Sequence, residues 1–233
     1  MSRIGVERSD GVMEYRDPDS HHSTTPSLHS PKLQSLVWGG LALIVLAVVA
    51  APFLFAPPAK PLPVYGAVTN FSLSDQDGKM VSQDDWRGQI RVVDLIFTRC
   101  LGPCPLVSAT MKRLQESLPA NSSVRLVTLT SDPDYDTPAI LKKYGEKFGA
   151  RPGVWAFLTG PKETMRRLAM EQLKLSMVDK PPAERETPVD LVIHSTRLVL
   201  LDSQERIRGY FDGETTACIP AILTAIHNLK KES

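Results

Sequence analysis

The chain lacks a charge imbalance. Lys and Arg number 27 against 26 Asp and Glu, a formal +1 over 233 residues. A protein that grips nucleic acid through a basic face needs surplus cations, and an acidic solvating chain needs surplus carboxylates, so the balance speaks against both classes. Cysteine is scarce as well. Three residues are too few for a disulfide scaffold, and the odd count leaves one thiol without an internal partner. No internal repeat is present. What the chain does have in quantity is proline, at 19 residues, which points to linkers and turns. The length has room for one domain of good size or two small ones.

The near-neutral average conceals one long gap. No residue between Lys32 and Lys60 carries a charge, and residues 36–51 read LVWGGLALIVLAVVAA. As a helix those 27 residues would reach about 40 Å, enough for the roughly 30 Å hydrocarbon core of a bilayer. No polar periodicity breaks the stretch as it would in a buried core helix, and Trp38 sits near its edge as an interface anchor does. The segment ahead of it is long for a signal-peptide n-region, which favours an uncleaved anchor. The expected organisation is therefore a disordered tail over 1–32, a transmembrane helix over 33–56, a proline-rich linker over 57–66 and a soluble domain over 67–233. Arg3, Arg8, Arg16 and Lys32 precede the span, against Lys60 alone just after it. This bias puts the N-terminus in the cytoplasm and the soluble domain on the other side of a bacterial-type inner membrane, or of the topologically equivalent mitochondrial one. His21, His22 and His29 lie in the tail with no fixed geometry to orient them, and read as solvated.

Within the soluble domain, Asp77-Gly78 marks the turn of a short hairpin between residues 71–74 and 80–81. Residues 91–97 (RVVDLIF) form a buried strand interrupted by Asp94. Apolar residues at helical spacing (Leu106, Val107, Met111, Leu114, Leu118) predict a helix over 104–118, with Pro105 in its first turn. A second strand over 124–130, a loop SDPDYDTP, a helix over 138–148, a strand over 155–158 and a helix over 162–175 follow. A polar, proline-rich loop over 179–190 leads to strands over 192–201 and 206–210 and a last helix over 216–230. The alternation predicts an α/β domain of thioredoxin-like order.

Cys100 and Cys104 form a C-x-x-x-C pair where a strand hands over to a helix. Four-residue spacing brings the thiols to one side of a helical turn, close enough to share a metal or to form a disulfide. The helix N-terminus and the adjacent Arg99 are expected to depress the thiol pKa. Two buried, inert cysteines are the plain alternative. Cys218, among Ile219, Ile222 and Leu223, reads as a packed core thiol. His194, near the start of an apolar strand, reads by itself as a structural histidine rather than a ligand.

Taken in order, FTRCLGPCP (97–105), SDPDYDTP (131–138), FLTG (157–160) and VIHSTRLVLLD (192–202) resemble the SCO/SenC family, membrane-tethered thioredoxin-like proteins of cytochrome c oxidase assembly. The resemblance covers roughly 67–229. It implies that Cys100, Cys104 and His194 bind copper, as Cu(I) or Cu(II), and it overturns the structural reading of His194. It further implies a copper chaperone, a binding protein rather than an enzyme, whose recipient is the dinuclear copper centre of oxidase subunit II or a related copper protein. The alternative is a thiol–disulfide reductase that keeps a partner's cysteines reduced, although dedicated oxidoreductases usually carry C-x-x-C. The family usually has an acidic residue between its cysteines, whereas here Leu101-Gly102-Pro103 intervenes. Asp132, Asp134 and Asp136 match the family's acidic loop, as loop caps or as electrostatic neighbours of the metal.

Overall fold

The computed structural model describes residues 31–54, 61–179, 181, 183 and 192–232. The tail over 1–30, residues 57–60 of the linker and most of the 179–190 loop lie outside the described residues. The chain divides into two units, 1–58 and 59–233. In the first, α1 (Pro31–Leu54) is a 24-residue helix, and its stretch Gln34–Ala51 is long and apolar enough to cross a membrane. None of that stretch is buried by protein, as befits an anchor rather than a core helix.

The second unit is built on an eight-stranded sheet in the order β1 (Gly66–Ala67), β10 (Arg206–Asp212), β9 (Arg197–Leu201), β4 (Arg91–Ile96), β5 (Arg125–Thr130), β6 (Trp155–Thr159), β2 (Ser72–Asp75), β3 (Met80–Ser82). β4, β5 and β6 are parallel, and the other pairings are antiparallel. β4, between β9 and β5, is buried along its whole length, which explains its run of apolar residues. Its side chains alternate. Val92 and Ile96 enter one core with residues of α2 (Cys104–Ser117), α3 (Pro138–Phe148) and α5 (Ile219–Glu232). Val93 and Leu95 enter the other, beneath α4 (Lys162–Arg166) and the β2–β3 hairpin. The result is the expected thioredoxin-like layering of helices on both faces of a sheet.

Local signals account for the element ends. Thr137 caps α3, its hydroxyl accepting from the amide of Ile140, and Pro138 occupies the first turn. Gly149, at φ 71°, closes the same helix in the left-handed conformation that glycine tolerates best.

Three expectations change. The predicted helix over 162–175 passes at Arg167 into a π-helical stretch, Arg167–Gln172. Its wider turn and left-handed Lys174 (φ 56°) bring both Leu173 and Leu175 into the core. The single strand predicted over 192–201 is two. β8 (Val192–His194) pairs antiparallel with β7 (Met177–Asp179) in a separate two-stranded sheet, and β9 continues in the main one. Leu106, one of the helically spaced apolar residues that predicted α2, is not on its buried face with the others but 53% exposed, because Val107, Met111 and Leu114 already fill the inward face.

Candidate metal centre

Parallel β4 and β5 end side by side, with Ile96 opposite Thr130, and both cysteine and aspartate loops leave from that edge. After Ile96 the chain turns at Phe97, whose carbonyl accepts from the Cys100 amide at 3.2 Å. It bends through Leu101-Gly102-Pro103 and enters α2 at Cys104, and the Pro103 carbonyl accepts the first amides of that helix, from Leu106 and Val107. Neither cysteine is in a disulfide. Their side chains share a hydrogen bond.

The two thiols differ in access. Cys104 is fully buried, while Cys100 is partly exposed. Burial, and after it the hydrogen bond with Cys100, push the Cys104 thiol well above its ordinary pKa, and a backbone contact from Phe97 opposes them only in part. For Cys104 this corrects the expectation of a depressed pKa: desolvation outweighs the helix terminus, whose Ncap Pro103 makes no side-chain cap. The cationic help expected from Arg99 is also spent elsewhere. Its Nη2 donates to Asp132 Oδ2 at 2.6 Å, and its guanidinium lies 4.0 Å from the centre of the Tyr135 ring.

The aspartate loop fastens the cysteine loop. Asp136 is fully buried and accepts from the Thr98 amide at 3.1 Å, from the Thr98 hydroxyl and from the Thr130 hydroxyl. Burial raises its carboxyl pKa, and the bonds from Thr130 and Thr98 pull against that without cancelling it. Asp132 holds Arg99, whereas Asp134 is exposed. Asp132 and Asp136 thus act as straps that set the backbone on which Cys100 rides. The sequence left capping and electrostatic tuning of the metal both open for these aspartates, and the dependence of the Cys100 loop on Thr98 was not legible in it.

Asp94, which seemed to interrupt a strand, is wholly buried on the same face as Val92 and Ile96. Thr128 donates its hydroxyl to Asp94 at 2.6 Å and accepts from Trp155 Nε1 at 2.9 Å, so the acid is built into a polar chain across β4, β5 and β6.

His194 lies at the end of β8, in register with Met177 of β7, and the next residue, Ser195, donates its amide to the Ser176 carbonyl at 2.9 Å. The imidazole lies outside the described atoms. Among the described residues no group of three or more His, Cys, Asp or Glu is poised for a metal. The structure therefore brings Cys100 and Cys104 together and places the backbone of His194 on a separate hairpin. Strand β7, which pairs with the His194 strand, was missed because three residues are too few for periodicity to register. Cys218 is only partly buried against the core, its Sγ 3.2 Å from the Thr215 carbonyl.

A mixed sheet flanked by helices, with two cysteines at the junction of a central strand and the helix that follows, defines a thiol protein of thioredoxin-like fold. Residues 62–230 match the SCO1/SenC family model, and the chain belongs to that family. It is 33% identical over 153 residues to the SCO1 protein homolog of Bacillus subtilis, covering 65% of this chain and 76% of that one. BsSco, described as a member of the Sco family of cytochrome c oxidase assembly proteins and as having a disulfide switch, superposes with a TM-score of 0.63 at 28% identity, over 73% of this chain and 98% of its own. ScoI of Bradyrhizobium japonicum, solved with copper bound, shares the fold at a TM-score of 0.57 and 21% identity, over 70% and 97% of the two chains.

Proposed function

We propose that this chain is a membrane-anchored copper chaperone that binds one copper ion through Cys100, Cys104 and His194 and delivers it to the dinuclear copper centre of cytochrome c oxidase subunit II. The observation that carries the reading is the pairing of two thiols through one hydrogen bond, with one sulfur sealed and the other reachable. Two thiolates suit Cu(I), and an added imidazole suits either oxidation state. Binding releases the thiol protons, since a coordinating thiol is deprotonated outright. Delivery proceeds by ligand exchange. An incoming thiolate reaches the ion on the Cys100 side, Cys100 leaves and takes up a proton, and buried Cys104 is the last protein sulfur to let go. Membership of the family, and the copper in a relative, support the reading. The cation bias around the apolar helix supports a cytoplasmic N-terminus with the 59–233 unit on the opposite side.

Copper titration of the full chain in detergent tests this. One ion per chain is expected, and His194→Ala should weaken Cu(II) binding far more than it changes thermal unfolding. Equal Cu(II) affinity in the variant would remove His194 from the ligand set.

The same thiol pair supports a second reading, reduction of a partner's disulfide, which is compatible with the first because copper must meet reduced thiols at delivery. A redox titration separates the roles: a pair more oxidising than the partner's disulfide rules the reductase out.

A further inference from the structure

Large apolar side chains stand exposed around the cysteine loop. Leu101, between the two thiols, is 82% exposed, more than any other large apolar residue described, those of α1 included. Leu106, in the first turn of α2, is 53% exposed, and Tyr135 of the facing loop is 42% exposed. Outside this rim only Val64, Tyr65 and Met80 are comparably open among the described residues of the 59–233 unit. Single exposed leucines are ordinary, but apolar residues grouped around a reactive group mark a contact surface.

The electrostatics of the rim point the same way. Residues 100–107 (CLGPCPLV) carry no charge. The flanking cation Arg99 is paired with Asp132 and covered by Tyr135, and exposed Asp134 stands beside that ring at the edge of the rim. A partner with a charged rim would have to desolvate that charge against Leu101 with nothing to pair it. Leu101 follows Cys100 directly and Leu106 lies in the first turn of the helix that begins at Cys104, so both flank the thiol a partner would approach.

The geometry points to an apolar docking collar, formed by Leu101, Leu106 and the Tyr135 ring, that receives a copper acceptor whose own metal site is rimmed by neutral, apolar residues. This rests on the chaperone reading and names the chemistry of its partner. The uncharged 100–107 segment at the centre of the contact makes association weakly dependent on ionic strength, in contrast to electrostatically steered encounters.

The experiment follows Cu(I) transfer from the full chain in detergent to the reduced, soluble copper domain of oxidase subunit II, at low and high salt. Leu101→Asp and Leu106→Asp should each slow transfer roughly tenfold, the scale of a central apolar contact. Leu101→Met should transfer normally, and the wild-type rate should hardly change with salt. Cu(I) affinity, measured by chelator competition, should stay unchanged in Leu106→Asp, which lies outside the ligand loop. Normal transfer by Leu106→Asp, or a wild-type rate that falls steeply with salt, overturns the collar while leaving the chaperone reading intact. No transfer by the wild-type chain overturns both.

Discussion

At the scale of single residues, Asp136 is the most constrained side chain of the site, a buried carboxylate facing three donors from two strand ends. Truncation to alanine strands the Thr98 amide and two hydroxyls. Asp136→Ala should therefore cost about 2–3 kcal/mol in urea unfolding, within the usual range for orphaned buried donors. Asp136→Asn should cost far less, because the amide oxygen can accept from Thr98 N–H while its NH2 donates to a hydroxyl that can also accept. Equal losses in the two variants would show that charge rather than geometry fastens the loop.

At the scale of elements, α3 and β6 pack closely at Gly145. A Cβ on Gly145 would lie 2.7 Å from Phe157 Cε2, and Phe157 is itself buried with its ring stacked on Trp155 at 5.0 Å. Gly145→Ala must displace that ring. A cost of about 1–3 kcal/mol is expected, the usual scale for overpacking, together with a shift in the fluorescence of Trp155. Unchanged stability and emission would mean that the helix simply rides outward. The Cys100–Cys104 junction and the strand that feeds it were legible in the sequence because a β-branched run, a proline in the first turn and a four-residue spacing are local signals. The division of 192–201 into two strands was not, since β8 finds its partner in β7, and a pairing across a loop leaves no trace in the periodicity of either strand.

At the scale of the whole 59–233 unit, its two ends meet at one arginine. Arg208, 3% exposed, donates to Asp202 at 2.8 Å, to Glu232 near the end of α5 at 2.6 Å, and to the carbonyls of Leu62 and Pro63 at 2.7 and 3.2 Å. Burial works against the charge on Asp202, but the bonds from Arg208 and from the backbone and side chain of Arg206 outweigh it and hold the carboxyl below its ordinary value. The bond from Arg208 lowers Glu232 as well. A carboxyl held lower in the folded state contributes stability that is fully present above its unfolded pKa and is lost as pH falls through the folded value. Unfolding free energy should thus decline on acidification through and below the ordinary carboxylate range. Arg208→Met should reduce that slope, measured by urea unfolding at a series of pH values. An identical slope in the variant would place the acid sensitivity in other carboxylates.

The sequence by itself determined the features set by neighbours along the chain. These are the uncharged apolar helix, the central strand, the capped helix α3 and the cysteine pair at a strand–helix junction, because charge, hydrophobic period and capping act over a few residues. Only the tertiary structure decided which thiol is sealed and which is open, that Arg99 answers to Asp132 rather than to a thiolate, and that Leu106 faces out while Asp94 is buried. Burial is a property of what packs from elsewhere in the chain. At Cys104 that long-range packing outweighed the local pull of a helix terminus.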